Sequence, residues 1–232
     1  METILREGYA QLGVPIPDNA PEQLRGYYEY LTERNQVMNL TAIQGEEDTA
    51  RLHFLDCGAM LKYVPLEGKK LLDVGSGAGF PGLVLKILVP TAKITLLDSQ
   101  QKRVTFQQEV CDKLALTDIR CIAGRVEEVP DIRGRFDVVT SRAVARLNTL
   151  CEFCLPMVKV GGVFAAMKGP TPEEELAEAA RAIRTLGGEL DRVEKYTVPG
   201  TDVTRRAVVI EKVAPTLKGY PRRWAKIQSQ PL

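Results

Sequence analysis

From Lys70 onward the chain repeats one unit, a short β-branched or leucine-rich run followed by a stretch of helical length. The runs are Lys70 to Val74, Ile94 to Leu97, Ile119 to Ala123, Phe136 to Thr140 and Val163 to Met167. Short apolar runs alternating with amphipathic segments predict βαβ units and a mostly parallel sheet covered on both faces. After the break at Gly169-Pro170-Thr171-Pro172, Leu176, Ala180, Ile183 and Leu186 share one helical face between an acidic first turn and Gly187-Gly188, which marks a helix over 173–186. Two more strand-like runs, Arg192 to Val198 and Arg206 to Val213, are joined by Pro199-Gly200 with no helix between them. They predict an antiparallel hairpin at one edge of the sheet.

Residues 1 to 66 carry a different pattern. Leu24, Tyr27, Tyr28 and Leu31 recur at helical spacing after Pro21, and Leu52, Leu55 and Ala59 repeat the pattern later. The expected organisation is an N-terminal helical cap (1–66), an α/β domain (67–213) and a C-terminal tail (214–232). With 44% hydrophobic and 26% charged residues over 232 positions, the chain has the composition of a globular protein able to bury a core, and disorder and collagen-like repeats are excluded. No apolar run approaches the roughly 20 residues of a membrane span. Residues 1–7 lack a basic start followed by an apolar stretch, so the expected compartment is the cytoplasm. Five cysteines then read as free, mostly buried thiols; Cys151 and Cys154 form a C-x-x-C, but a zinc site needs four ligands, and His53 is the sole histidine. No metal is expected.

The strongest local signal is Leu71-Leu-Asp73-Val-Gly75-Ser-Gly77-Ala-Gly79-Phe80-Pro-Gly82, leaving the first strand and entering a helix. Glycines here allow a sharp turn and close approach of backbone to a ligand, at the strand ends where open α/β sheets bind nucleotides. Gly75, Gly77 and Gly79 are therefore candidate cofactor contacts. Asp98, closing the second strand, is placed to accept hydrogen bonds from a ribose, or else to cap the next helix. A dinucleotide fold wants G-x-G-x-x-G with a pyrophosphate on the helix N-terminus. In this sequence the third glycine comes one residue early and an acid, Asp73, precedes the loop. By sign of charge, Asp73 suits a cationic methionine tail better than a diphosphate. These features resemble the class I S-adenosylmethionine-dependent methyltransferases, whose fold is Rossmann-like. An NAD(P)-dependent oxidoreductase is the first alternative, and a non-catalytic RNA-binding protein on the same fold the second.

The fourth strand ends in Thr140-Ser141-Arg142-Ala143-Val144-Ala145 rather than in the [DN]-P-P-[YF] loop common in amine methyltransferases. Together with the glycine run, Asn39-Leu-Thr41, His53-Phe-Leu-Asp56, Gly124-Arg-Val-Glu127 and Tyr220-Pro-Arg-Arg223, this set resembles the RsmG (GidB) family of bacterial methyltransferases that modify guanine N7 in 16S ribosomal RNA. The resemblance implies S-adenosyl-L-methionine as cofactor, with contacts at Gly75, Phe80, Val126, Glu127 and Arg142. It also implies a target in the decoding-centre loop, met within a small ribosomal subunit or an assembly intermediate. Two positions depart from the family pattern: Trp224-Ala225-Lys226-Ile227 follows the tail arginines where a Gly-containing stretch is usual, and Cys57 stands where Ser is usual.

Guanine N7 carries a lone pair on the major-groove edge and has no proton to lose, so this chemistry calls for alignment rather than a general base. No catalytic base is named. His53 is expected to orient structure or RNA, and Asn39 is either a helix terminator or a base-facing amide. The last 21 residues hold five basic side chains, no acid, and the aromatics Tyr220 and Trp224. Such a mixture can neutralise phosphates and stack on unpaired bases. The candidate RNA contacts are Asn39, His53, Arg146, Lys218, Arg222, Arg223 and Lys226. The chain is expected to act as a monomer.

Overall fold

The computed structural model describes residues 1–232, the side chain of Pro130 excepted. Seven strands form one sheet: β1 (Lys70–Val74), β2 (Lys93–Asp98), β3 (Ile119–Ala123), β4 (Phe136–Arg142), β5 (Val158–Lys168), β6 (Gly188–Thr197) and β7 (Thr204–Lys212). Their order is β3-β2-β1-β4-β5-β7-β6. The first five run parallel, and β7 pairs antiparallel with both β5 and β6. The expected hairpin is therefore present, but β7 is inserted between β5 and β6, leaving β6 as the edge.

Alternation along the strands sorts the core into two layers. Leu71, Val138, Ala165 and Val209 join one buried cluster, while Leu72, Val139, Phe164 and Val208 join the other. Side chains of period two point to opposite faces, so a run such as Leu71-Leu72 has to be apolar throughout. Helices α1 (Glu2–Leu12), α2 (Ala20–Met38), α5 (Gly82–Leu88) and α6 (Gln101–Lys113) cover the first face. Helices α7 (Leu147–Cys154), α8 (Glu173–Thr185) and α9 (Trp224–Ser229) cover the second.

The later part of the N-terminal segment is not one regular helix. Short α-helical turns α3 (Glu46–Thr49) and α4 (Asp56–Gly58) flank a π-helical segment, Ala50–Leu55, and a 3-10 turn, Ala59–Lys62, follows. Leu55 and Ala59 are buried as the pattern predicts, whereas Leu52 is only partly so. The wider π turn places His53 and the Leu52 carbonyl against the sheet; such segments recur at functional sites.

The tail packs rather than floating as a basic strand. Tyr220, Trp224, Ile227 and Leu232 lie against the second cluster, and Trp224 stacks on Phe153 at 5.8 Å between ring centres. Cys151 and Cys154 face the same cluster, fully buried, and burial pushes both thiols up.

Candidate active site

β1 pairs with β2 on one side and β4 on the other, so the chain reverses its winding direction at β1, the place where open α/β sheets bind ligands. A cleft of 380 Å³ opens there. It is lined by Gly75, Ser76, Gly77, Ala78 and Phe80 from the glycine loop, Asp98, Ser99 and Arg103 after β2, Arg142 to Val144 after β4, and Leu40, Thr41 and His53 from the N-terminal segment.

The loop is wound tightly on itself. The Gly75 and Ser76 amides donate to the Leu97 carbonyl at 2.8 and 3.1 Å, and the Gly77 amide donates to Asp98 Oδ2 at 2.9 Å. Gly75 has φ +72°, and a Cβ there meets Val144 Cγ2 at 2.5 Å, so only glycine lets Val144 close over the loop. Gly77 has φ +58°, and a Cβ there meets nothing within 4 Å: it faces the open cleft. Asp98 is 3% exposed; its Oδ1 accepts from the Gln100 amide at 2.9 Å, with Arg103 Nη1 3.6 Å from Oδ2. Asp98 thus steadies the approach to α6 and also lines the cleft.

Asp73 departs from its expected place. It is fully buried under the loop, outside the cleft lining, because the Gly82 amide at the start of α5 claims its Oδ2 at 2.8 Å. Its Oδ1 has no partner among the described residues, and burial raises the carboxyl to about 7. Gly79 also turns away from the cleft: a Cβ there meets Leu83 Cδ1 at 2.2 Å and the Tyr27 hydroxyl at 2.9 Å. Tyr27, from α2, donates to the Ala78 carbonyl, which fastens the N-terminal helices to the back of the loop. Val126 and Glu127 fall in the short turn after β3, Val126 buried and Glu127 partly so, and neither lines this cleft.

His53 and Arg142 meet on the cleft wall. The His53 ring stacks on Phe80 with centroids 4.1 Å apart and planes 8° apart, and the Arg142 guanidinium lies 5.2 Å from the Phe80 ring centre. Arg142 Nη2 donates to His53 Nδ1 at 2.8 Å; its Nη1 donates to the Leu52 carbonyl at 3.2 Å and to Asp56 Oδ2 at 3.4 Å. Asp56 in turn accepts from the Tyr196 hydroxyl at 2.8 Å and from Arg205 Nε at 3.4 Å. This chain of polar contacts ties the N-terminal segment to β4, β6 and β7. Burial, reinforced by the Arg142 charge, lowers His53 to about 3, so the imidazole is neutral. Arg142 has no acceptor to offer, hence Nδ1 is the accepting nitrogen and the single ring proton sits on Nε2, facing Thr41 Oγ1 at 2.8 Å.

The expected RNA contacts divide. Asn39 ends α2 in the left-handed region at φ 50°, with its side chain exposed. Arg146 is held by Glu178 at 2.9 Å and Glu174 at 3.5 Å. Arg222 is committed to the buried Glu152, donating from Nε at 2.7 Å and from Nη2 at 2.6 Å while its backbone amide donates at 2.9 Å; it pins the tail and is not a free cation. The physical reason is burial: Glu152 is 1% exposed and needs an opposite charge. Lys218, Arg223 and Lys226 are exposed and pair with no acid among the described residues. Arg125 lies over the Trp224 ring at 5.7 Å, a contact the tail reading did not anticipate.

The sequence motifs contain Thr41, Asp56 and Val144 without assigning them roles, and Arg103, Tyr196 and Gln107 lie outside them. Gln107, fully buried on α6, donates to Ser76 Oγ at 2.8 Å and to the Gly77 carbonyl at 2.7 Å, buttressing the loop from below.

The chain matches the family model described as GidB, rRNA small subunit methyltransferase G, over residues 20–205. It is 44% identical over 237 residues to ribosomal RNA small subunit methyltransferase G of Alkaliphilus oremlandii, covering 100% of this chain and 99% of that protein. Against the protein of the same name from Pelotomaculum thermopropionicum it is 45% identical over 235 residues, covering 100% and 98%. Among solved structures, M. jannaschii TYW2 in complex with AdoMet matches with a TM-score of 0.55 at 13% identity, over 65% of this chain and 72% of that one. TrmN from Thermus thermophilus matches with a TM-score of 0.55 at 21% identity, over 68% and 48%. The two structures share the class I methyltransferase fold, and the full-length sequence matches go further: the chain belongs to the GidB family of S-adenosylmethionine-dependent rRNA small subunit methyltransferases.

Proposed function

We propose that the chain transfers a methyl group from S-adenosyl-L-methionine to N7 of a guanine in the decoding-centre loop of 16S ribosomal RNA. The acceptor is RNA within a small subunit or assembly intermediate, in the cytoplasm, and the enzyme works as a monomer. The family match supports the RNA substrate, and the cleft supports the chemistry.

The residues present fit the cofactor. Gly77 leaves open space where any larger residue would project a side chain, Asp98 offers a carboxylate for ribose hydroxyls, and Phe80 with Arg142 forms a flat wall. Gly75, Gly77, Phe80, Asp98 and Arg142 are the residues to hold it, with Val126 and Glu127 beyond the cleft. When bound, the cofactor supplies a methyl group activated by a sulfonium. A pyrophosphate finds no comparable seat. The amides of Gly75, Ser76 and Gly77 are already paired, and Asp73 caps the Gly82 amide where a phosphate would sit at the N-terminus of α5. Arg103 beside Asp98 is the one feature an NADP reading can claim.

One observation carries the assignment to base-free methyl transfer. The histidine of the cleft is neutral, with Nδ1 filled by Arg142 and its proton facing Thr41, and each oxygen of Asp98 receives a backbone amide. The protein's task is then to align the guanine ring and exclude water, which suits an acceptor atom carrying a free lone pair. Calorimetric titration of the protein with S-adenosylmethionine and with NADPH tests the cofactor. Binding of the first and not the second is expected; preference for NADPH, or no binding of either, overturns the proposal.

A further inference from the structure

Thr41 belongs to a motif that methyl transfer itself leaves unused, yet the residue lines the cleft, with its hydroxyl 2.8 Å from the ring of His53, another lining residue. Three contacts fix what that hydroxyl can do. His53 cannot accept from it at Nε2, because that nitrogen carries the only ring proton and therefore donates to Thr41 Oγ1 across 2.8 Å. The Ile43 amide donates to the same oxygen at 3.1 Å. A hydroxyl oxygen has two lone pairs, and both are now filled. Its one hydrogen is left over, with no acceptor among the described residues.

An ordinary threonine is ambivalent, donating or accepting as its partner requires. Thr41 is locked as a donor by a relay running from Arg142 through His53. Guanine and adenine both present N7, but beside it guanine carries the O6 acceptor and adenine the N6 amine, a donor. A donor-only group next to N7 therefore pairs with guanine and opposes adenine.

We propose that Thr41 is a specificity-determining residue, whose hydroxyl donates to O6 of the target purine and rejects a 6-amino group. The inference rests on the proposed guanine acceptor. Arg142 and His53 act as positioning residues behind Thr41, since they set its polarity.

The test uses small subunits reconstituted with RNA in which the methylated guanosine is replaced by inosine, which keeps O6, or by 2,6-diaminopurine riboside, which carries an amine there and leaves N7 in place. Wild-type protein is expected to methylate guanosine and inosine at rates within about threefold and diaminopurine about tenfold to a hundredfold more slowly, the discrimination a direct base contact provides. Thr41→Val, and Thr41→Ala where a water can accept the amine hydrogen on the N7 side, should lose that preference, while Thr41→Ser keeps it. Calorimetry should find S-adenosylmethionine affinity within about twofold of wild type in all three, which separates a base reader from a cofactor ligand. An unchanged guanosine to diaminopurine ratio in the Val and Ala variants overturns the proposal, as does cofactor affinity falling in step with rate. Absence of transfer to unmodified subunits by wild-type protein is a different result, and it overturns the guanine reading beneath.

Discussion

At the residue scale two buried groups, His53 on the cleft wall and Asp73 beneath the glycine loop, titrate with opposite signs. His53 stays neutral in the folded protein down to about pH 3, whereas the unfolded chain protonates it near 6.5. Unfolding takes up a proton between those values, so its stabilising contribution is present above about pH 6.5 and is lost as pH falls toward 3. Asp73 runs the other way. Its folded carboxyl titrates at about 7 and its unfolded one near 3.9, so its contribution is present at acid pH and is lost as pH rises from about 4 through 7. Between about pH 4 and 6.5 the two slopes oppose, and only a comparison of variant with wild type isolates either. His53→Asn is expected to be less stable than wild type by about 1–2 kcal/mol at pH 7.5, and that deficit should shrink by about 1 kcal/mol at pH 5.5, because only the wild type has the buried imidazole to charge. Denaturant melts at both pH values check this; a deficit that stays constant or grows on acidification contradicts a neutral His53.

This scale is also where the sequence was hardest to read. Asp98 was legible because its distance from the glycine loop is set by one βαβ unit. The roles of His53 and Thr41 were not, because Arg142 reaches His53 from 89 positions away and determines which nitrogen carries the proton. Asp73 shows the same limit: charge sign points to a cationic cofactor tail, and the sequence gives no sign that a backbone amide nine residues on takes its Oδ2.

At the scale of elements, the glycine loop and the tail each make a prediction. Gly77 combines a positive φ with open space, so Gly77→Ala should cost about 1–2 kcal/mol from backbone strain and project a methyl into the cleft. S-adenosylmethionine affinity should fall at least about tenfold, a loss of roughly 1.4 kcal/mol of binding. Calorimetry with a parallel thermal melt checks both, and undiminished affinity places the cofactor elsewhere. In the tail, the two adjacent arginines do different work. Arg222→Ala strands the buried Glu152 carboxylate and should destabilise the protein by about 3–5 kcal/mol. Arg223→Ala with Lys226→Ala should leave the melting temperature within about 2 °C and reduce the salt dependence of RNA binding by about two units of slope. If the second pair leaves the salt slope untouched, the tail is not an RNA contact. The sequence showed five basic residues without an acid, but Glu152, 70 positions away, was invisible as the partner of one of them.

On the scale of the whole molecule, periodicity carried most of the architecture. The five parallel strands, the helix after the glycine loop and the late hairpin were all legible, because the central strands are apolar on both faces and the half-buried edge strand β3 keeps the spacing of the repeating unit. The insertion of β7 between β5 and β6 was not, since a hairpin signal gives neighbours and says nothing of which strand meets β5. Nor was the π-helical segment, whose apolar spacing resembles an ordinary helix while its wider turn delivers His53 to Phe80. The N-terminal segment contributes to the cleft: Tyr27 on α2 holds the back of the loop, and Thr41 in the following loop and His53 line the cleft.

The measurement that bears most directly on the account is nucleoside analysis after incubating the protein with methyl-labelled S-adenosylmethionine and small subunits from cells lacking its gene, with naked 16S RNA in parallel. The account predicts label in 7-methylguanosine, at one position, with subunits the better acceptor. Label in any other nucleoside, or no label from a protein that binds the cofactor, contradicts it.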